Sequence, residues 1–297
     1  MLGAIYALIA LGYTMVYGVL RLINFAHGDV YMVGAFIGLY AARGLHLTDQ
    51  SGTLPVSAGA LFLMILIAMV GSAALGVVIE RLAYKPLRRA PRLTALITAI
   101  GVSMFLEYGG QRVFGTTPQS YPQLASATGE AQVGLQFMGG VSISRIDMVI
   151  LAVAAALVII LQLIVHRTRP GKAMRAVSYD REAASLMGVN TDTIITLTFL
   201  IGSAFAGAAG VLVGMRTRQV EPLMGLMAGI RAFVAAVVGG IGNVPGAALG
   251  GLVMGMSEEI VKAFYPGLTD AVVFGVLILI LVLRPTGILG TGAVEKV

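Results

Sequence analysis

Between Leu2 and Leu20, Val56 and Ile79, Met148 and Val165, and Thr193 and Val213 the chain carries no Asp, Glu, Lys or Arg. Uncharged apolar runs of this length, close to the roughly 20 residues that cross a bilayer as a helix, point to membrane spans. Leu93–Val113, which carries Glu107 and Arg112, and Ala271–Leu283 are two further apolar runs, Val30–Ala42 is short for a full crossing, and the Gly-rich stretch Gly229–Ile260 is too long for one. Only 11% of the residues are charged, where a soluble domain has about 25%, so most of the surface faces lipid. The 297 residues leave room for about eight spans at roughly 20 residues each. The expected fold is all-α: a polytopic helical membrane protein with about eight transmembrane segments, some discontinuous, in a single integral membrane domain over 1–297.

Basic residues orient these spans, because short cytoplasmic loops collect Lys and Arg. Arg81, Lys85, Arg88, Arg89 and Arg92 lie between the third and fourth runs, and His166, Arg167, Arg169, Lys172, Arg175 and Arg181 follow the fifth. Both segments are expected inside, the second as a cytoplasmic loop at about 167–192. The stretch 115–146 has Arg145 as its only Lys or Arg, so a loop at about 114–147 is expected outside. Counting back puts the N-terminus outside. Counting forward puts the C-terminus inside, provided Gly229–Ile260 enters and returns on one side. The net charge of +6 is therefore a topology signal and not a nucleic-acid signature. Cys is absent, which excludes disulfides, thiolate metal sites and Cys nucleophiles; no metal or other cofactor is expected.

Paired intramembrane carboxylates, His ladders and spaced Arg series, the marks of ion-coupled carriers and voltage sensors, are not legible in the spans. Glu107 is the main acidic residue inside a helical run and is expected near its outer end. Small residues recur instead at Gly34 and Gly38, Gly210 and Gly214, Gly246 and Gly250, and Gly251 and Gly255. That spacing lets helix backbones approach closely where lipid supplies no hydrophobic drive.

Two breaks interrupt the apolar pattern. In Arg21–Asp29, Asn24 and Asp29 are N-cap types and Asp29 is expected to accept from the first free N–H groups of the next helix. Around Val238–Gly251, Pro245 stops a continuing helix after Gly239, Gly240 and Gly242. Irregular backbone at membrane depth is tolerated where protein buries it or a cavity wets it. A plain turn or packing break accounts for either segment; the functional alternative is that Asn24, His27, Asp29, Phe233 and Asn243 line a translocation path.

The polar segment Gly171–Gly188 stands between two apolar runs, and its Glu182-Ala183-Ala184-x-x-x-Gly188 resembles the coupling loop of ABC-transporter permeases. Tyr6–Gly18, Ile23-Asn24-Phe25-Ala26-His27-Gly28-Asp29, Ser185–Asp192, Ala232–Ala247, Pro285–Gly290 and Val294–Val297 together resemble the LivH-type permease of branched-chain amino acid ABC importers along the whole length. Family members carry a leader before the first span that this sequence nearly lacks. The general loop also continues to an Ile-x-Leu-Pro, where this chain has Thr198-Phe199-Leu200-Ile201.

The resemblance implies a multi-pass subunit of the bacterial cytoplasmic (inner) membrane, without enzymatic activity of its own. Its implied partners are a second related permease, two cytoplasmic ATP-binding subunits and a periplasmic amino-acid-binding protein. It implies that Arg175–Gly188 forms one short helix docked in the ATPase. There Ala183 and Ala184 permit close approach, Arg175, Arg181 and Glu182 offer charge, and Gly188 turns the chain back. A urea or short-chain amide permease of the same superfamily is the nearest alternative reading. A passive channel or secondary carrier would leave the polar segment without a purpose, and no nucleophile-base pair supports a membrane enzyme.

Overall fold

The computed structural model describes residues 1–47, 53–54, 58–88, 90–124, 135–137 and 141–290. Much of the expected external loop, Arg89 and the segment 291–297 lie outside the described residues. In chain order the helices are α1 Leu2–Leu20, α2 His27–Gly44, α3 Ala58–Ile79, α4 Arg92–Phe114, α5 Arg145–Arg167, α6 Arg169–Tyr179, α7 Arg181–Leu186, α8 Thr191–Thr217, α9 Met224–Gly239, α10 Val244–Phe264 and α11 Thr269–Leu283. A π-helical turn, Glu80–Tyr84, extends α3.

Six helical segments among the described residues are long and apolar enough to cross a membrane: α1, α3 with its extension, α4, α5, α8, and Pro266–Leu283. The expected count of about eight is approached through three less regular helices. α2 begins at His27, ahead of its apolar run, and reaches 18 residues, about 27 Å at 1.5 Å per residue. The Gly-rich stretch divides into α9 and α10. Their break is built locally: Gly240 and Gly242 have φ of 104° and 95°, values that glycine adopts without a Cβ penalty. The Asn243 side chain then accepts from Gly246 N at 3.0 Å, capping α10, with Pro245 in its first turn, where a missing N–H costs nothing.

After α11 the chain returns to this break, Ile288 N donating to Val238 O at 2.9 Å and Leu289 N to Gly239 O at 3.0 Å. Arg21, just past α1, reaches the Ser178 carbonyl of α6 at 3.5 Å. The ends of α1, α9 and α11 thus share one end of the bundle with the basic helices α6 and α7. At the opposite end Arg43, closing α2, donates to Gln119 Oε1 at 2.9 Å, and Arg216 near the end of α8 pairs with Asp147 at the start of α5 at 2.9 Å. The α9–α10 hairpin therefore leaves and returns on one side, the condition for placing the C-terminal turn at the basic end.

α1 is the centre. Its window is 78% buried, against 6% for Pro266–Leu283, so α11 lies at the rim while α1 packs against α10, α8 and α9. Glycine makes this possible: a Cβ on Gly251 would stand 2.4 Å from Ala7 N, one on Gly255 2.1 Å from Gly3 N, one on Gly34 2.5 Å from Gly207 Cα, and one on Gly210 2.4 Å from Tyr31 O. The neighbour is backbone each time and cannot swing aside. One polar group in the core is matched across four helices. Tyr6 donates to Glu258 at 2.7 Å, and Arg231 spans Glu258 at 2.9 Å and Asp270 at 2.6 Å, tying α1, α9, α10 and α11 together.

Gly251→Ala should lower the thermal stability of the purified protein by the overpacking cost, about 1–3 kcal/mol. Gly101→Ala, whose Cβ meets nothing within 4 Å, should leave the melting temperature unchanged or raise it, as differential scanning fluorimetry in detergent will read.

Candidate functional site: the basic-end helices and the two helix breaks

The polar segment departs from the single helix expected over Arg175–Gly188. It forms two helices, α6 and α7, because Asp180 takes an extended backbone (φ −150°) and caps α7, its Oδ1 accepting from Ala183 N at 2.9 Å. Thr168 caps α6 in the same way, accepting from Gly171 N at 3.2 Å. Arg175, Glu182 and Ala183 are exposed, whereas Ala184 is buried. Gly188 sits at φ +83° with open space around it, so backbone conformation and not crowding calls for glycine there. Leu186 and Met187 are 89% and 84% exposed: two large apolar side chains projecting from a charged helix pair. Sequence reasoning passed over them, although an apolar pair inside a polar island was there to be seen.

Behind α7 opens a cleft of about 540 Å³ lined by residues of three segments, among them Lys85, Arg88, Arg181, Glu182 and Asp192. Asp192, in the first turn of α8, pairs with Arg88, with Lys85 at 3.4 Å and with Arg181 at 3.8 Å. The Arg181 expected to face a partner is therefore turned toward its own chain.

The two breaks approach one another beside α1. The second lies against α1, where a Cβ on Gly18 would stand 3.5 Å from Gly242 Cα, and the first lies against α9, where the rings of Phe25 and Phe233 are 6.1 Å apart. Phe233 also meets Tyr13 at 6.0 Å, and Tyr13 meets His27 edge-on at 4.9 Å. A small apolar pocket between the breaks is lined by Tyr13, Tyr17, Ile23, Phe233, Ala236 and Ile241. His27 and Phe233 thus join one aromatic group. Asn243 faces the other way, capping α10 and donating to Leu289 O at 2.8 Å. Asn24 accepts from the Tyr84 hydroxyl at 2.8 Å.

Asp29 corrects two expectations. The helix starts at His27, with Ala26 in the N-cap position and no side-chain cap, so Asp29 lies inside the first turn and its carboxylate projects sideways to α4. It accepts from Ser103 Oγ there, not from the helix's own free N–H groups. Glu107, one turn beyond Ser103, comes within electrostatic reach of it and is itself buried. The spans thus do hold a pair of carboxyl groups, which the sequence conceals because its members are on α2 and α4. One oxygen of each, Asp29 Oδ1 and Glu107 Oε1, has no hydrogen-bond partner among the described residues. No group of three His, Cys, Asp or Glu suited to a metal ion occurs among the described residues.

The family model described as "Branched-chain amino acid transport system / permease component" matches residues 1–282. The chain belongs to this family. It is 44% identical over 298 residues to the high-affinity branched-chain amino acid transport system permease protein LivH of Escherichia coli (strain K12), covering 100% of this chain and 94% of that protein. It is likewise 44% identical over 296 residues to the permease protein BraD of Pseudomonas aeruginosa, covering 99% and 94%. The probable LivH of Methanocaldococcus jannaschii is 26% identical over 300 residues, covering 95% and 88%. No solved structure matches the chain.

For this permease-family chain, the Asn243 geometry makes a direct prediction. Asn243→Ala removes both the cap and the Leu289 tether and should destabilise the protein by at least the ~1 kcal/mol of a lost N-cap. Asn243→Asp keeps an acceptor for Gly246 N but cannot donate to Leu289, so its loss should be smaller. Equal melting temperatures for all three proteins would show that the cap does not hold the break.

Proposed function

We propose that this chain is the membrane-spanning subunit of a binding-protein-dependent importer that moves branched-chain amino acids inward on ATP hydrolysed by partner subunits. The full-length likeness to LivH and BraD supports the substrate class. The observation that carries the mechanism is the exposed Leu186–Met187 pair at the end of α7, on the same helix pair as the exposed charged side chains Arg175 and Glu182. Large apolar side chains projecting from a charged helix pair beyond an apolar bundle suit a soluble partner better than lipid. In this reading Ala183 lets that partner approach, Gly188 supplies the turn, and 167–192 is a cytoplasmic coupling loop in a single-domain permease.

The exposed apolar faces of α4, α5 and α11 suit both lipid and a second permease subunit. A periplasmic binding protein would deliver substrate at the end opposite the basic helices, across the bacterial inner membrane. The translocation path runs past the meeting of the two breaks. His27 and Phe233 face it, Asn24 and Asn243 hold the break backbones in shape, and Asp29 stands two residues after His27 on α2. An apolar pocket edged by helix ends fits the aliphatic side chain of such an amino acid, and no fixed charge lines the pocket itself.

Reconstitution of the complete importer in vesicles tests this. Leucine, isoleucine and valine uptake should require ATP and the binding protein. Met187→Glu should cut both uptake and ATPase recruitment at least tenfold, a loss of about 1.4 kcal/mol or more in docking. Phe233→Ala should change the leucine-to-valine preference. ATP-independent uptake by the isolated chain, or transport of urea in place of the amino acids, contradicts the reading.

A further inference from the structure

Five charged side chains from three separate parts of the chain converge at the basic end, and the transport scheme above leaves them without a role. Glu80 comes from the π-helical turn, Lys85 and Arg88 from the linker after it, Arg181 from α7, and Asp192 from the first turn of α8. Arg88 holds Glu80 with one guanidinium nitrogen and Asp192 with another. The Arg88 side chain is 8% exposed and that of Glu80 is fully buried, so this part of the cluster sits where Coulomb attraction is least screened. The Arg181–Asp192 contact, at 3.8 Å and 41% and 48% exposure, is the weak and adjustable member.

The cluster is anchored on its inner side as well. The second oxygen of Glu80 accepts from Thr196 Oγ1 at 2.9 Å, one turn further along α8. Four residues after Glu80 the same π-helical turn carries Tyr84, whose hydroxyl donates to Asn24 at 2.8 Å and whose ring lies 5.3 Å from Phe199. A connected route therefore joins α7 to the first helix break: side-chain contacts from Arg181 through Asp192 and Arg88 to Glu80, the backbone of the π-helical turn from Glu80 to Tyr84, and the Tyr84 hydroxyl to Asn24. π-turns concentrate at functional positions. This one turns both Glu80 and Tyr84 into the protein, where both are buried.

We infer that Asp192 and Arg88 are positioning residues that convey a displacement of α7 to the break ahead of α2, and so link ATP hydrolysis to opening of the path. The inference rests on the reading of α7 as the docking helix. With six residues, α7 is too short to hold its place by its own hydrogen bonds, so what it is tied to decides where it goes. Asp192 is the side-chain tie from α7 to Arg88, beside the packing of α7 on α6 and α8. Without its charge, Lys85, Arg88 and Arg181 face one another with only Glu80 and the exposed Glu182 of the cleft to offset them, and α7 loses its link to the π-helical turn.

The test uses the complete importer in proteoliposomes, with leucine uptake and ATP hydrolysis measured in the same vesicles. Asp192→Asn should keep its ATPase subunits and continue to hydrolyse ATP, while substrate moved per ATP falls about tenfold, a coupling free energy within the usual range. Asp192→Glu, which restores the charge, should recover most of that ratio, an outcome that loss of packing alone does not give. Tyr84→Phe should lower the ratio too. The double variant Asp192→Asn with Tyr84→Phe should be no worse than Asp192→Asn, because both cut one linkage and are not additive. An unchanged ratio in Asp192→Asn, loss of its ATPase subunits, or fully multiplicative losses in the double variant overturns the inference. If Asp192→Asn does not reach the membrane, Tyr84→Phe decides alone, and an unchanged ratio there overturns it. A thiol cross-link from Ser185→Cys to the ATPase separates the two claims. Its absence in the otherwise unaltered complex removes the docking premise, whereas its presence with a normal Asp192→Asn ratio overturns the linkage alone.

Discussion

Where helices turn at the end of an apolar bundle, the backbone groups they free must find partners within the protein, because lipid offers none. Both interruptions in this chain meet that demand in defined ways. At the first, Arg21 N returns to Tyr17 O, His27 N goes to Asn24 O, and Asp29 N and Val30 N both go to Ala26 O. At the second, Asn243 closes the start of α10 while Ile288 and Leu289 take up the carbonyls at the end of α9. The breaks are therefore specific structures with fixed partners. The C-terminal turn after α11 is part of the second one.

That satisfaction works only at short range, and glycine supplies the range. With backbones meeting directly, α1 is enclosed by α8, α9 and α10, and the second break comes within contact of the last turn of α1 at Gly18 and Gly242. Several polar side chains inside the bundle are then paired across helices: Tyr6 with Glu258 and Arg231, Asp29 with Ser103, Tyr84 with Asn24. The two ionic clusters stand at opposite ends of the bundle. One fastens the rim helix α11 through Asp270; the other gathers the linker after α3, α7 and the start of α8 around Asp192.

The legible parts of this fold were those with local causes. Long uncharged runs mark the main spans, and Pro245 after Gly239, Gly240 and Gly242 marks the break before α10, since a proline acts within one turn of itself; the cap that Asn243 supplies there was not read from it. The polar island was visible, but its division at Asp180 was missed: the segment was taken as one polar helix although a good N-cap residue stood in its middle. Asp29 was misjudged for the opposite reason. Its sequence setting suits a cap, yet Ser103 on α4 takes its carboxylate, and a partner 74 positions away leaves no mark in the local pattern. Glu80, Arg88 and Asp192 were hidden alike, each ordinary in its own segment and significant only once α3, α7 and α8 are packed.

The meeting of the two breaks beside Phe25 and Phe233 is the centre of the account, and the absence of native cysteine makes it directly measurable. Phe25→Cys and Phe233→Cys, introduced together in the assembled importer, should be bridged by a short bifunctional thiol reagent. Bridging should stop substrate uptake, and a cleavable reagent should restore it on reduction. Failure of the pair to cross-link, or undiminished uptake by the fully cross-linked protein, would contradict the placement of the path between the breaks.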